Sequence, residues 1–131
     1  MKFTWLDSVK WDSNGLIPCV VQDAKDHAVL MVAYMNRVSL EKTLTEGKAC
    51  FWSRSRGKLW LKGEESGNFQ AVKKISIDCD LDCLVIQVDQ IGGAACHTGM
   101  RSCFYRSVNA EDGNLKEEGE RIFDPHKVYH K

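Results

Sequence analysis

The sequence of 131 residues predicts an α+β fold that is predominantly β, with antiparallel strands in a barrel-like sheet and one short helix. Three observations carry that prediction. Short apolar runs, several of them alternating, are separated by Gly, Asn and Asp turn clusters. One stretch alone, Arg37 to Glu46, has helix formers with leucines four residues apart. No linker, repeat or shift in composition divides the chain, so residues 1–131 read as one domain, large enough for a real core.

The opening stretch carries Trp5 and Trp11 and ends in the turn signal Asn14-Gly15. Leu16 to Gln22 reads as a strand, Asp23 to His27 as a polar turn with a solvated histidine, and Ala28 to Met35 as the returning strand of a hairpin. Asn36 suits an N-cap, and Gly47 suits the left-handed position past the helix end. Lys48 to Ser53 and Leu59 to Lys62 are strand-like around the turn Ser55-Arg-Gly-Lys58, and Gly63 to Asn68 forms a glycine-flanked polar loop. Phe69 to Ile77 and Leu84 to Gln90 alternate and are expected to pair antiparallel. Phe104 to Val108 is read as the last strand. Residues 109–131 are polar and are expected to form a peripheral tail with exposed His126 and His130.

The 18 basic and 18 acidic residues balance to zero, which argues against a general nucleic-acid or membrane-surface binder; an anionic ligand would need a local basic patch. No apolar run reaches the ~20 residues that cross a bilayer. The start, Met-Lys-Phe-Thr-Trp-Leu-Asp-Ser, has charges where a signal peptide is apolar, so a cytoplasmic protein is expected. In that setting six cysteines point to metal or chemistry rather than disulfides. Cys19 and Cys50 sit in apolar surroundings and read as small buried hydrophobes.

Nine potential metal ligands or proton carriers fall between Asp78 and Cys103. Asp78, Asp80 and Asp82 alternate, so on an extended chain they share a face, and their mutual repulsion is relieved if a divalent cation sits there. Mg²⁺ fits best, since it takes a few carboxylates, keeps waters and reaches a substrate phosphate. Leu81-Asp82 could instead be the turn itself, in which case Asp82 need not follow the alternation.

Thiolates suit Zn²⁺. On a continuous helix Cys96 and Cys103 would stand roughly 10 Å apart along the axis, too far for one ion, so the segment must fold back, with Thr98-Gly99 as the place. A third thiolate could be Cys79 or Cys83. On a regular strand Cys79 points away from Asp78 and Asp80, which suggests a site completed by another chain. Three thiolates leave an open coordination position, as catalytic zinc requires, but they acidify bound water less than neutral histidines do. A nearby base is therefore wanted, and His97 is adjacent in sequence.

Arg54, Arg56, Lys58 and Lys62 interleave with Trp52 and Trp60, and guanidinium groups suit phosphates. The run W-S-R-S-R-x-x-L-W-x-K-G-E-x-S-G (Trp52 to Gly67), then D-C-D-x-D (Asp78 to Asp82), then C-H-T-G-x-x-S-C-F (Cys96 to Phe104) closely resembles phosphoribosyl-AMP cyclohydrolase of histidine biosynthesis. The likeness covers more than half of the chain, from about Met35 to Tyr105. It implies an intertwined homodimer of mostly β structure that hydrolyses the N1–C6 bond of the adenine ring in 1-(5-phosphoribosyl)-AMP with zinc-activated water. Alkylation at N1 makes C6 electrophilic. The resemblance further implies zinc held by Cys79 of one subunit with Cys96 and Cys103 of the other, and magnesium held by Asp78, Asp80 and Asp82. Cys83 is then a packing residue. His97 is the candidate for moving the proton, and Arg54, Arg56, Lys62, Glu64 and Ser66 are expected to hold the substrate. Some relatives carry a further pyrophosphohydrolase domain, and this chain stops short of one.

Three other classes carry different signatures. A zinc nucleobase deaminase would carry H-x-E…P-C-x-x-C, which is missing here. A non-catalytic zinc-stapled binding module would close the zinc with a fourth protein ligand. A redox thiol protein is disfavoured by the lack of C-x-x-C.

Overall fold

A computed structural model describes residues 3–128; His130 lies outside them. After a short 3₁₀ turn at Thr4–Ser8 come β1 (Ile17–Asp23), β2 (Val29–Met35), α1 (Arg37–Glu46), β3 (Cys50–Ser53), β4 (Lys58–Leu61), β5 (Gln70–Ile77) and β6 (Leu84–Gln90). The small elements β7 (Arg106–Val108), β8 (Leu115–Glu117) and α2 (Pro125–Val128) follow. The chain is mostly β, with the one short helix of 10 residues that the sequence predicts and the single turn α2.

The barrel-like sheet is a correction. β2, β1, β6 and β5 form an open four-stranded sheet in that order, and β3–β4 and β7–β8 are separate two-stranded ribbons. Closure fails because β2 and β5 both remain edges. The β3–β4 ribbon reaches β5 only through the bridge Lys48–Ala71 and the hydrogen bonds Ala49 N to Gln70 O and Val72 N to Gly47 O. Nor is every pairing antiparallel: β6 lies parallel to β1, with Cys19 opposite Leu84 and Asp23 opposite Val88. The pairing is a matter of matched faces. Cys19 and Val21 of β1 and Leu84, Ile86 and Val88 of β6 are fully buried on the same side. With Leu6, Ile17, Leu30, Met35, Leu40 and Phe51 they make the core. Each fully buried aliphatic contributes about 1.5–3 kcal/mol.

Helix α1 is set by its ends. Asn36 Oδ1 accepts from Ser39 N at 2.8 Å while Ser39 Oγ accepts from Asn36 N at 2.9 Å, a reciprocal cap. Thr43 docks the helix on β3: its buried Oγ1 donates to Ser39 O at 2.8 Å and accepts from Cys50 N at 2.9 Å. Asn36→Ala is expected to cost about 1 kcal/mol. The check is a urea titration, in which the midpoint falls and the slope is unchanged.

The expected strand from Phe104 shortens to β7, which pairs with β8 rather than with the main sheet. Much of that ribbon is exposed. Residues 118–123 differ: they fold back onto the 98–101 segment, with Arg101 N donating to Glu120 O at 2.7 Å and Ile122 N to Gly99 O at 2.6 Å. His126 is exposed.

Candidate active site

Residues 78–83 are a turn, not a continuation of β5. Asp78 N donates to Cys83 O at 3.0 Å, and Leu81 takes a left-handed φ of 64°. The side chain of Asp78 ties the turn together, its Oδ1 accepting from Asp82 N at 2.9 Å and Cys83 N at 3.1 Å. Lys10 N donates to Leu81 O at 2.8 Å from outside. The winding gathers what a strand would have spaced out: Asp78, Asp80 and Asp82 offer oxygens all within 4.8 Å of one another, and all three residues are exposed. Their crowding shows in the acid–base behaviour. Asp82 is pushed up to about 6, first by the hydrogen bond it shares with Asp80 and then by Asp78. Asp78 is held below the ordinary carboxylate value, above all by the amide of Asp82. Among the described residues this is the one group of three or more potential ligands brought together within the chain.

The Cys96–Cys103 segment folds back at Gly99, where the chain takes φ +90°. Gly99 N donates to Cys96 O at 3.0 Å, Cys96 N to Met100 O at 3.2 Å and Ala95 N to Arg101 O at 3.0 Å. Cys96 is buried, and its Sγ lies 2.9 Å from Thr98 Oγ1. Cys103 is exposed as a residue, and its thiol feels both burial and Cys96. Desolvation first, then the charge of Cys96, pushes its thiol up to about 12, and Lys62 pulls the other way. Arg101 braces the fold-back against the β1–β2 turn, its Nη2 donating to Asp23 at 3.0 Å and Asp26 at 2.8 Å.

Cys79 does not join that pair within one chain. The acidic turn leaves the sheet between β5 and β6, at the Ile77–Leu84 end. Cys103 N instead bonds Leu30 O on β2, on the opposite edge. β6 lies two strand spacings from β2 and β5 lies three, or ~10–14 Å across the sheet. Cys79 is exposed, and Cys83 is half-buried beneath the turn.

Beside the thiols lies a cleft of about 330 Å³, lined by Ser53, Ser55, Arg56, Trp60, Lys62, Gly63, Glu64, Glu65, Ser66 and His97. Four of the five residues expected to hold substrate, together with His97, therefore share one cavity. Arg54 is the exception: it stacks on the Tyr34 ring at 3.9 Å in a neighbouring depression that shares Ser53, Ser55 and Trp60 with the cleft. The cleft's rim is a loop closed tightly on itself. A Cβ on Gly63 would lie 2.5 Å from Phe69 N, so no other residue fits that position.

Lys62 is not a surface cation. It is 5% exposed, and its ammonium donates to Ala95 O at 2.5 Å. Burial lowers its pKa, and Cys103 and Cys96 oppose that. Among the described residues no carboxylate pairs with it, so its charge faces the thiols and the cleft. Sequence reasoning missed Trp60, Ser53, Ser55 and Glu65 as cleft residues. The signal for the first three was present, since they lie inside the W-S-R-S-R-x-x-L-W run.

Residues 31–105 match the family described as Phosphoribosyl-AMP cyclohydrolase. A protein of that name from Chlorobium phaeovibrioides (strain DSM 265 / 1930) is 59% identical over 128 residues, covering 98% of this chain and 92% of the relative. Another, from Chromobacterium violaceum, is 53% identical over 127 residues, covering 97% and 95%. A third, from Pseudomonas fluorescens (strain Pf0-1), is 52% identical over 125 residues, covering 95% and 92%.

The chain belongs to the phosphoribosyl-AMP cyclohydrolase family.

The span that matches the phosphoribosyl-AMP cyclohydrolase family takes in the cleft, the acidic turn and the thiol loop, and it ends before the segment 118–123. Family membership and the acidic cluster together support metal binding. Among the described residues no helix is long and apolar enough to cross a membrane.

Proposed function

We infer that this chain is a hydrolase of histidine biosynthesis that opens the adenine ring of 1-(5-phosphoribosyl)-AMP, as expected of a phosphoribosyl-AMP cyclohydrolase. The observation that carries the reading is a cleft shared by His97 and Lys62, with Lys62 also within electrostatic reach of Cys96 and Cys103, in a chain of this family.

The donor chemistry fits two metals. Two thiols side by side, with an imidazole beside them, suit zinc, and the third thiol is supplied by Cys79 of a second copy in a homodimer. Three carboxylates within 4.8 Å suit magnesium. Bound zinc would supply the Lewis acidity that makes water nucleophilic at neutral pH. The chain's own residues do the rest. Cys96 and Cys103 present sulfur from the fold-back, and Lys62 sets one positive charge against the negative excess of three thiolates on a divalent ion. His97, at the cleft wall, accepts the proton of the attacking water. The bond from C6 to N1 then breaks, the carbonyl stays on carbon, and N1 leaves carrying a proton.

Arg56 and the hydroxyls of Ser53, Ser55 and Ser66 line the same cavity and suit the substrate's phosphates, with Glu64 on the rim and Arg54 at the adjoining depression. Arg56→Ala is expected to raise KM about ten-fold with kcat changed less than KM, since a charge-assisted hydrogen bond to phosphate is worth about 1.5–3 kcal/mol. Steady-state kinetics check it, and an unchanged KM removes Arg56 from the phosphate site. The reading as a whole is tested by following the ultraviolet change on ring opening before and after chelation. Activity should vanish with the metal and return with added zinc. A chain that turns over equally well after complete zinc removal overturns the zinc site.

A further inference from the structure

Beyond residues 31–105, the span that the family model matches, residues 118–123 lie along the thiol loop. Arg121 sits opposite Met100 as an antiparallel bridge, Arg101 N donates to Glu120 O at 2.7 Å, and Ile122 N donates to Gly99 O at 2.6 Å. The Arg121 guanidinium donates to Thr98 O at 2.6 Å, while Thr98 Oγ1 is in contact with Cys96 Sγ at 2.9 Å. The fit at Gly99 is close, since a Cβ there would stand 1.9 Å from Phe123 O. Glu118, Glu120, Arg121 and Ile122 are themselves exposed, so the segment adds little apolar burial. Much of its backbone hydrogen bonding goes instead to the residues between Cys96 and Cys103.

We propose that residues 118–123 are a positioning strap for the Cys96–Cys103 loop. Arg121 clamps the Thr98 carbonyl, and through Thr98 and Gly99 the strap sets the directions of Cys96 and His97 at the cleft. The strap contributes no ligand and touches no substrate; it acts through the loop. The inference rests on the reading of that loop as the zinc and proton-transfer loop. Arg121 is exposed, so its removal leaves no buried cavity, and a change in catalysis is separable from unfolding.

The test uses the full chain carrying Arg121→Ala or Arg121→Lys, with Asn36→Ala, outside the cleft lining, as a destabilised control. Two quantities are read: kcat and KM on the phosphoribosyl nucleotide, and the visible thiolate–cobalt absorption after zinc is exchanged for cobalt(II). Arg121→Ala is expected to lose about ten-fold in kcat with KM within about two-fold, as a small misplacement of catalytic groups does. Its cobalt bands should shift, and Arg121→Lys should recover most of both. Asn36→Ala should keep kcat and the bands despite its lower urea midpoint. A kcat for Arg121→Ala within about two-fold of the parent, or an equal loss in Asn36→Ala, overturns the strap while the site reading stands. A parent chain that neither opens the ring nor takes up cobalt overturns the site reading, and the strap with it.

Discussion

His97→Ala lowers kcat by two to four orders of magnitude and leaves the bound zinc in place. That is the expected result if the imidazole moves the proton, because a positioned general base contributes about 10²–10⁴-fold. The side chain lines the cleft and is exposed there, so its loss removes no packing and opens no hole in the core. The neighbouring thiols are held by other means. Cys96 is fixed through its backbone and its contact with Thr98 Oγ1, and Cys103 is fixed by its amide on Leu30 O. Metal content by atomic absorption and single-turnover rates check the two halves of the expectation separately. A variant that keeps full kcat rules His97 out as the proton carrier. One that loses its zinc makes it a ligand instead.

The second large effect concerns how two copies share the thiols. Cys79→Ala and Cys96→Ala should each abolish zinc binding and turnover. Co-refolded in equal amounts, the two inactive chains should regain roughly a quarter of the parent activity: half of the dimers are mixed, and each mixed dimer has one of its two sites intact. The expectation follows from the separation of Cys79 from the Cys96–Cys103 pair across the sheet. If the mixture stays inactive, each chain must gather all of its own ligands and the shared site is wrong.

Much of this was legible in the residues, and the exceptions have physical causes. Helix α1 was readable to the residue because its signals are local: the cap of Asn36 on Ser39 and the left-handed Gly47. β6 was readable because its burial alternates without a break. Its parallel partnership with β1 was not, since that pairing joins residues more than sixty positions apart and is decided by which faces the core accepts. The string D-x-D-x-D looks alike on a strand and in a turn. The left-handed Leu81, which decides between them, violates the local preference of leucine and could be seen only in the fold. Lys62 read as one of the cations expected to hold the substrate, with nothing to mark it as buried. Its burial against Ala95 depends on a contact 33 positions away. The tail read as peripheral because its grip on the thiol loop is made largely by backbone groups, which leave no trace in hydrophobic periodicity.

The acidic turn has one more implication. Asp78 commits an oxygen to the amides of Asp82 and Cys83, and Lys10 secures Leu81 from the neighbouring segment. The claw is thus shaped before any cation arrives, and little chain entropy remains to be lost on capture. A preset bite of this kind selects among divalent ions by how closely their radius matches it, more than by their charge.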